Sequence, residues 1–379
     1  MKSLSPLTAL TIAATSLPAF ADSQPVETSL SIGTSNYKEA DIPPHLHLSG
    51  DNQRYDIDIQ QFRLLTPVGD EWSAGLSVSR ETMSGASPWA TVMGPDGKPT
   101  LIMSGATIQD ERTEVSLTGT QYFEESSAAL TLTRSEEDDY TSDAVAVSGE
   151  WEINGALTIL SAGLSYASDT IEPSDAAAFG RILKESRKSR SLSLGLSQVI
   201  DRSSVVFAGL GVTSHTGYLS DPYKLRDVRP RKRFESALGV RYRRFLDNLR
   251  ASLHVDYRYY ADDWGIASHT LHTSWYQNVG SSFQLVPNVR YYSQSNADFF
   301  RSVDDFGLPP DFAQSSDFRL GGYGAVTAGL KGVIHFPDWS VTLSIDRYRA
   351  SEKYGLESGI EHPALLKFAL ASVAFECRF

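Results

Sequence analysis

The strongest constraint in this chain is alternation. From about residue 26 to the last residue, apolar side chains recur at every second position in segment after segment, and no stretch carries the three-to-four spacing of an amphipathic helix. Period two marks a strand with one apolar and one polar face. Trp72, Ala74, Leu76 and Val78 alternate with Ser73, Gly75, Ser77 and Ser79. Leu249, Ala251, Leu253, Val255 and Tyr257 alternate with Arg250, Ser252, His254, Asp256 and Arg258.

The pattern predicts strands at 26-37, 54-66, 71-83, 112-123, 127-135, 143-153, 156-168, 189-200, 204-216, 233-245, 249-261, 266-278, 282-294, 318-332, 339-350 and 366-379. Their connections sort into two kinds. Short turns such as Asn154-Gly155 and Asp201 to Ser203 interleave with longer, more polar loops. A soluble sandwich has no reason to sort its connections, whereas an outer-membrane barrel has short periplasmic turns, long outer loops and an even strand number. The expected fold is all-β: a transmembrane antiparallel up-and-down barrel of about sixteen strands. No apolar run after the first residues approaches the roughly 20 residues of a membrane-spanning helix.

The first residues read as a secretory signal: Lys2, a weakly polar stretch from Leu4 to Leu17, then Ala19, Phe20 and Ala21. Cleavage is expected after Ala21, leaving the barrel as 22-379, in the outer membrane of a Gram-negative bacterium. A single cysteine, Cys377, cannot close an internal disulfide, so an exported chain of this length needs another brace, and a closed sheet supplies one. The formal charge of −12 speaks against a nucleic-acid partner.

Aromatics sharpen the reading. Trp72, Phe123, Trp151, Tyr242, Trp275, Phe283, Trp339 and Phe379 lie on apolar faces near short-turn ends, as an interfacial girdle would. Tyr166, Tyr257, Tyr259 and Tyr291 are candidates for the second girdle. The ending, with Phe375 and Phe379 in alternation, resembles the C-terminal assembly signal of such barrels, which implies periplasmic chaperones and the barrel-assembly machinery as partners beside membrane lipid.

If apolar faces meet lipid, the opposite faces line a lumen. Asp56, Asp58, Glu81, Glu114, Glu150 and Glu152 stand there in early strands, and Arg241, Arg243, Arg250, Arg258, Arg290, Lys331 and Arg378 in late ones. An acidic sector facing a basic one would favour small hydrophilic or anionic solutes. The alternative is that these charges only knit the lumen together. Loop carboxylates at Glu136 to Asp139, Asp262-Asp263 and 298-311 suit calcium in chemistry but lack a cation-loop spacing, so solvated charge is the plainer expectation. Ser268, His269 and His272 suggest a hydrolase, but in a strand Ser268 and His269 point to opposite faces. No catalytic, metal or cofactor site is expected.

Loop motifs carry a resemblance. Ser87-Pro88-Trp89, Gly97-Lys98-Pro99 and the run from Met103 through Ser104 and Gly105 to Ile108 form one group; Asp221-Pro222-Tyr223-Lys224 forms a second. Tyr260 through Asp262-Asp263-Trp264-Gly265-Ile266 to Ser268-His269-Thr270 forms a third, and Tyr354-Gly355 with Pro363-Ala364-Leu365-Leu366 a fourth. Together they resemble an uncharacterised barrel family, the domain of unknown function 3570. The resemblance implies no activity. Its members' neighbours suggest a periplasmic lipoprotein or a redox protein as partner.

The reading is therefore a channel or transport shell for small polar or anionic solutes. A non-conducting scaffold for a periplasmic or surface partner comes second and an outer-membrane hydrolase third. The loop 84-111 is expected to fold inward or to pack on the loop 217-232; the alternative is that it simply caps the barrel top.

Overall fold

A computed structural model describes residues 24–379 apart from 106, 107, 358 and 360. The expected signal segment lies outside the described residues. Sixteen strands close into one antiparallel barrel in which each pairs with its neighbours in sequence and the last returns to the first. They are β1 (Ser29–Glu39), β2 (Asp56–Val68), β3 (Trp72–Gly85), β4 (Ile108–Tyr122), β5 (Ser126–Glu136), β6 (Tyr140–Ile153), β7 (Thr158–Ile171) and β8 (Glu185–Asp201). The second half comprises β9 (Ser204–Gly217), β10 (Lys232–Leu246), β11 (Ala251–Asp262), β12 (Ala267–Val279), β13 (Phe283–Gln294), β14 (Tyr323–His335), β15 (Trp339–Ser351) and β16 (Lys367–Arg378). No helix among the described residues is long and apolar enough to cross a membrane; the crossing is made by strands.

Closure satisfies every edge, which a sheet in lipid requires. Ser29 pairs with Arg378, and the backbones of Thr28 and Phe379 exchange two 3.0 Å bonds beyond the last pair. The turns follow from local chemistry. At β6–β7, Asn154, Gly155 and Ala156 all have positive φ, which the Asn-Gly pair tolerates and Ala156 does not favour. That extra left-handed residue delays β7 to Thr158. β14 starts at Tyr323, five residues later than the alternation predicts, because the Asp317 side chain caps a 3-10 turn at Phe318–Leu320.

The middle of the wall carries a belt of exposed apolar side chains, including Leu76's neighbour Leu117 at 55% exposure, Leu164 at 62% and Val289 at 54%. A soluble protein would not leave so many exposed; lipid accounts for them. At the short-turn end the belt ends in aromatics, with Phe336 stacked on Trp339 at 3.7 Å and Trp339 5.8 Å from Phe375.

Beyond the belt, at the long-loop or outer end, the polarity of the wall inverts. Ile57 is 1% exposed and packs inside with Tyr37, Tyr55 and Met83, while its neighbours Asp56 and Asp58 point outward and accept hydrogen bonds from Asn36. Ion pairs coat the outward face at this level: Lys38–Asp56 at 3.0 Å, Arg80–Glu111 at 2.7 Å and Arg134–Asp143 at 3.0 Å. The strands therefore project past the lipid into water, and their apolar residues turn inward onto a folded lid.

The lid is built from the long loops. His47–Ser49, Pro99–Met103 and Pro88–Met93 form a three-stranded sheet, and Asp227–Val228 pairs with Gln314–Ser315. Ile42, Ala86, Leu101, Met103 and Ala364 make one core beneath them, with Leu46 and Phe318 against it. Trp264, Ile266, Ala297 and Leu320 make a second. Fully burying side chains such as Leu101 and Met103 stabilises by about 1.5–3 kcal/mol each, so these loops form a packed unit.

Loops from well-separated parts of the wall meet here. The 86–107 connection joins the 218–231 connection through Leu225 N–H donating to the Trp89 carbonyl at 2.9 Å, and joins the 295–322 connection through a 2.9 Å bond from Thr91 N–H to the Asp304 carboxylate. Of the two arrangements expected for 84-111, packing on 217-232 is thus present, and the segment sits at the centre of the lid.

Candidate functional site: a charged lumen beneath the lid

The inward face of each strand is fixed by register. Across β10 to β13, Asp256 pairs with Arg241 and His272, and His272 with Arg290, so these four side chains share the inner face. Arg243, Arg258 and Lys331 lie on the same face. The middle of this sector holds Arg241, Arg243, Arg258, Arg290 and Lys331 against two carboxylates, Asp256 and Asp346.

Only part of that charge is neutralised. Arg243 pairs with Asp256, and His272 lies 3.9 Å from the same carboxylate. Arg241 sits over the Phe207 ring at 5.0 Å, and Lys331 over Tyr276 at 5.3 Å. Arg258 and Arg290 form no ion pair among the described residues, point inward and are nevertheless exposed. Inward-facing exposed arginines mean water-filled space at their level.

The opposite sector differs in kind. Arg112 on β4 is buried and gathers Glu81 at 3.5 Å together with Glu114. Arg63 on β2 also faces inward and is exposed, as its place in the alternation implies. Glu150 and Glu152 stand near the short-turn end, and Arg378 pairs with Glu376 at 3.0 Å at that rim. Asp56 and Asp58, expected in the lumen, face outward instead, because the inner positions of β2 at this height are occupied by the Ile57 core.

The loop motifs prove to be lid joints. The Asp262 carboxylate is fully buried; it accepts from Arg233 at 2.6 Å, from Tyr260 at 2.9 Å and from the backbone of Trp264 and Ile266. Asp263 accepts from Phe234 N–H, while Trp264 donates to the Lys232 carbonyl and lies under the Arg233 guanidinium. The Ser104 hydroxyl accepts from Ser87 N–H at 3.1 Å; Gly105 is exposed. His269 lies on the outward face, hydrogen bonded to Tyr257 at 2.7 Å and beside Tyr259 in the outer girdle. Ser268 is buried on the inner face, so these two do not meet. Phe375 and Phe379 are both exposed at the short-turn end.

At the centre of the lid, Asp317 is fully buried between Arg319 at 2.9 Å and Arg229 at 2.8 Å. Burial alone would raise its carboxyl, but the two guanidiniums overwhelm that and hold it well below the usual range. The Thr91 hydroxyl meets His362 at 3.3 Å, and burial pushes that imidazole down to about 3. Asp110, Glu137 and Asp139, at the outer ends of β4 to β6, bring their oxygens within 4.8 Å of one another, a set that could hold a metal ion.

An apolar belt, aromatic girdles, a polar charged lumen and an even, closed strand count define an outer-membrane β-barrel, here one capped at its outer mouth. The chain belongs to the family described as "Protein of unknown function (DUF3570)", which it matches over residues 7–362. No curated protein matches its sequence. Its fold is similar to that of a solved structure described as "Bacterial polysaccharide outer membrane secretin", at 8% identity, with 93% of this chain and 98% of that chain covered and a TM-score of 0.51. It is also similar to CdiB from Acinetobacter baumannii, at 6% identity and a TM-score of 0.52, covering 93% of this chain and 60% of that one. At such identities the likeness is one of fold.

Proposed function

We propose that this barrel is a passage for small polar solutes, anions foremost, across the outer membrane, and that the lid holds its outer mouth shut. The observation that carries the reading is the pair Arg258 and Arg290, inward, exposed and without an ion pair among the described residues. Holding unneutralised guanidiniums in a lumen costs little in water and attracts anions, as rings of Arg and Lys do in anion-selective pores. The field of Lys331, which lies over the Tyr276 ring, adds to theirs. Phe375 and Phe379 would be read by the assembly machinery that inserts the barrel into lipid.

The test is single-channel conductance of the refolded barrel in planar bilayers under a potassium chloride gradient, with the lid intact and loosened. The intact barrel is expected to conduct in rare openings, with a reversal potential on the anion side. Arg258→Glu with Arg290→Glu should bring the anion-to-cation permeability ratio below one. Unchanged selectivity in the folded double variant would remove both residues from the pathway.

The closed lid also favours a second reading, a non-conducting shell that serves a periplasmic partner. A lid-free barrel that folds but passes no current would establish it over the first.

A further inference from the structure

A cluster of carboxylates at the outer rim of β4 to β6 has no part in the lumen. Asp110 opens the inner face of β4, Glu137 and Asp139 stand in the turn between β5 and β6, and the three place oxygens within 4.8 Å of one another. Asp110 and Asp139 are 8% and 7% exposed, and the Glu137 side chain is 4% exposed. When ionised, carboxylates this close and this dry repel strongly, and a cation among them removes that repulsion.

Arg112 is the cation that faces Glu137, and its donors are largely engaged elsewhere. Its Nε donates to Ser135 at 2.8 Å, and its terminal nitrogens face Glu81 at 3.5 Å and Glu114. Glu137 Oε1 lies 3.8 Å from Arg112 Nε and receives no hydrogen bond, although it is buried. A buried carboxylate oxygen left without a donor, beside two other carboxylates, is what a hard cation's coordination sphere looks like from the protein side.

We propose that Asp110, Glu137 and Asp139 bind one calcium ion. Calcium rather than magnesium follows from the ligands. Three carboxylates on a strand end and a short turn supply an irregular oxygen set, which calcium's flexible six-to-eight-fold shell accepts and magnesium's strict octahedron does not. The site also joins wall to lid, because Tyr223 of the 218–231 connection donates its hydroxyl to Asp139, and the Asp139 carbonyl accepts from Glu172 N–H at 2.8 Å. Bound calcium would fix the turn on which that part of the lid rests.

The experiment is calorimetric titration of calcium chloride into the folded, full barrel in detergent micelles at neutral pH, with folding checked by heat-modifiable gel migration. The expected result is one site with a dissociation constant of about 10⁻⁴–10⁻³ M, the range of extracellular calcium modules, and weaker magnesium binding. Glu137→Gln should weaken calcium at least tenfold. Glu136→Gln, next in sequence but outward and paired with Arg134, should leave it unchanged. Absence of calcium binding to the folded barrel overturns the proposal, as does equal binding by Glu137→Gln. The readout is independent of conductance, so its failure and that of the solute pathway are told apart.

Discussion

At the scale of the residue, the lid depends on two buried groups of opposite habit. Asp317 is charged and its carboxylate holds Arg229 and Arg319 together. Asp317→Ala would leave the largely buried Arg229 with Asp227 and the partly exposed Arg319 with Asp221, a loss of charge-assisted hydrogen bonds that costs about 1.5–3 kcal/mol. Lid loops should then become protease-sensitive while the barrel stays folded; an unaltered cleavage pattern would show that the cluster is not what holds them. His362 is the reverse case, neutral and dry. Its folded value lies below its unfolded one, so the unfolded loop binds a proton that the folded lid refuses between about 3 and about 6.5. Stability from this group is complete above about pH 6.5 and is lost as pH falls, by about 2 kcal/mol at pH 5. Burial raises Asp221 and Asp304 in the same lid, and their protonation on acidification acts in the opposite sense. The comparison that isolates the imidazole is therefore His362→Gln, whose lid amides should exchange with a flatter pH dependence than wild type; identical profiles would rule the histidine out.

At the scale of the element, the joints of the lid are as specific as its charges. Gly50 has φ of 91° and a Cβ there would lie 2.3 Å from the Met103 carbonyl oxygen, so it lets the 40–55 connection cross the small sheet. Gly50→Ala should loosen that sheet and raise open probability in bilayers without shifting selectivity; a closed channel as quiet as wild type would count against a gate located there. All sixteen strands were legible because alternation persists wherever one face meets lipid and the other water. The face assignment of Asp56 and Asp58 was not, and β2 shows why. Its apolar residues are Ile57 and Ile59, then Phe62 and Leu64, and a strand cannot put odd and even positions on one side. The outer half buries its isoleucines against Tyr37 and Met83, while the inner half offers Phe62 and Leu64 outward. That change of phase between Gln60 and Gln61 marks the edge of the membrane and is written in the sequence itself. The lid left no comparable trace, since its core joins Ile42, Leu101, Phe318 and Ala364 from four connections with no shared period. Asp262 and Trp264 stood out as a motif, but only packing could show that they lock a turn rather than meet a solute.

At the scale of the whole molecule, barrel and lid are two cooperative units sharing one wall. The barrel's ladder runs between sequence neighbours all the way round, and no lid bond is needed to close it. Gly85 and Ile108 are register partners at the foot of the central lid segment, so the chain can be rejoined there by a tight turn. Replacing 86–107 by Asn-Gly should therefore leave a folded, heat-modifiable barrel. The excision removes Leu101 and Met103 from one lid core and the Thr91 contacts to Asp304 and His362, so the remaining loops lose their common centre. Conductance should rise from rare openings to a steady open level, and the anion preference should persist because Arg258 and Arg290 lie on strands the excision does not touch. If instead the shortened barrel folds and stays closed, the obstruction lies within the wall itself. The inward arginines would then be read as the lining of a shell for a periplasmic partner.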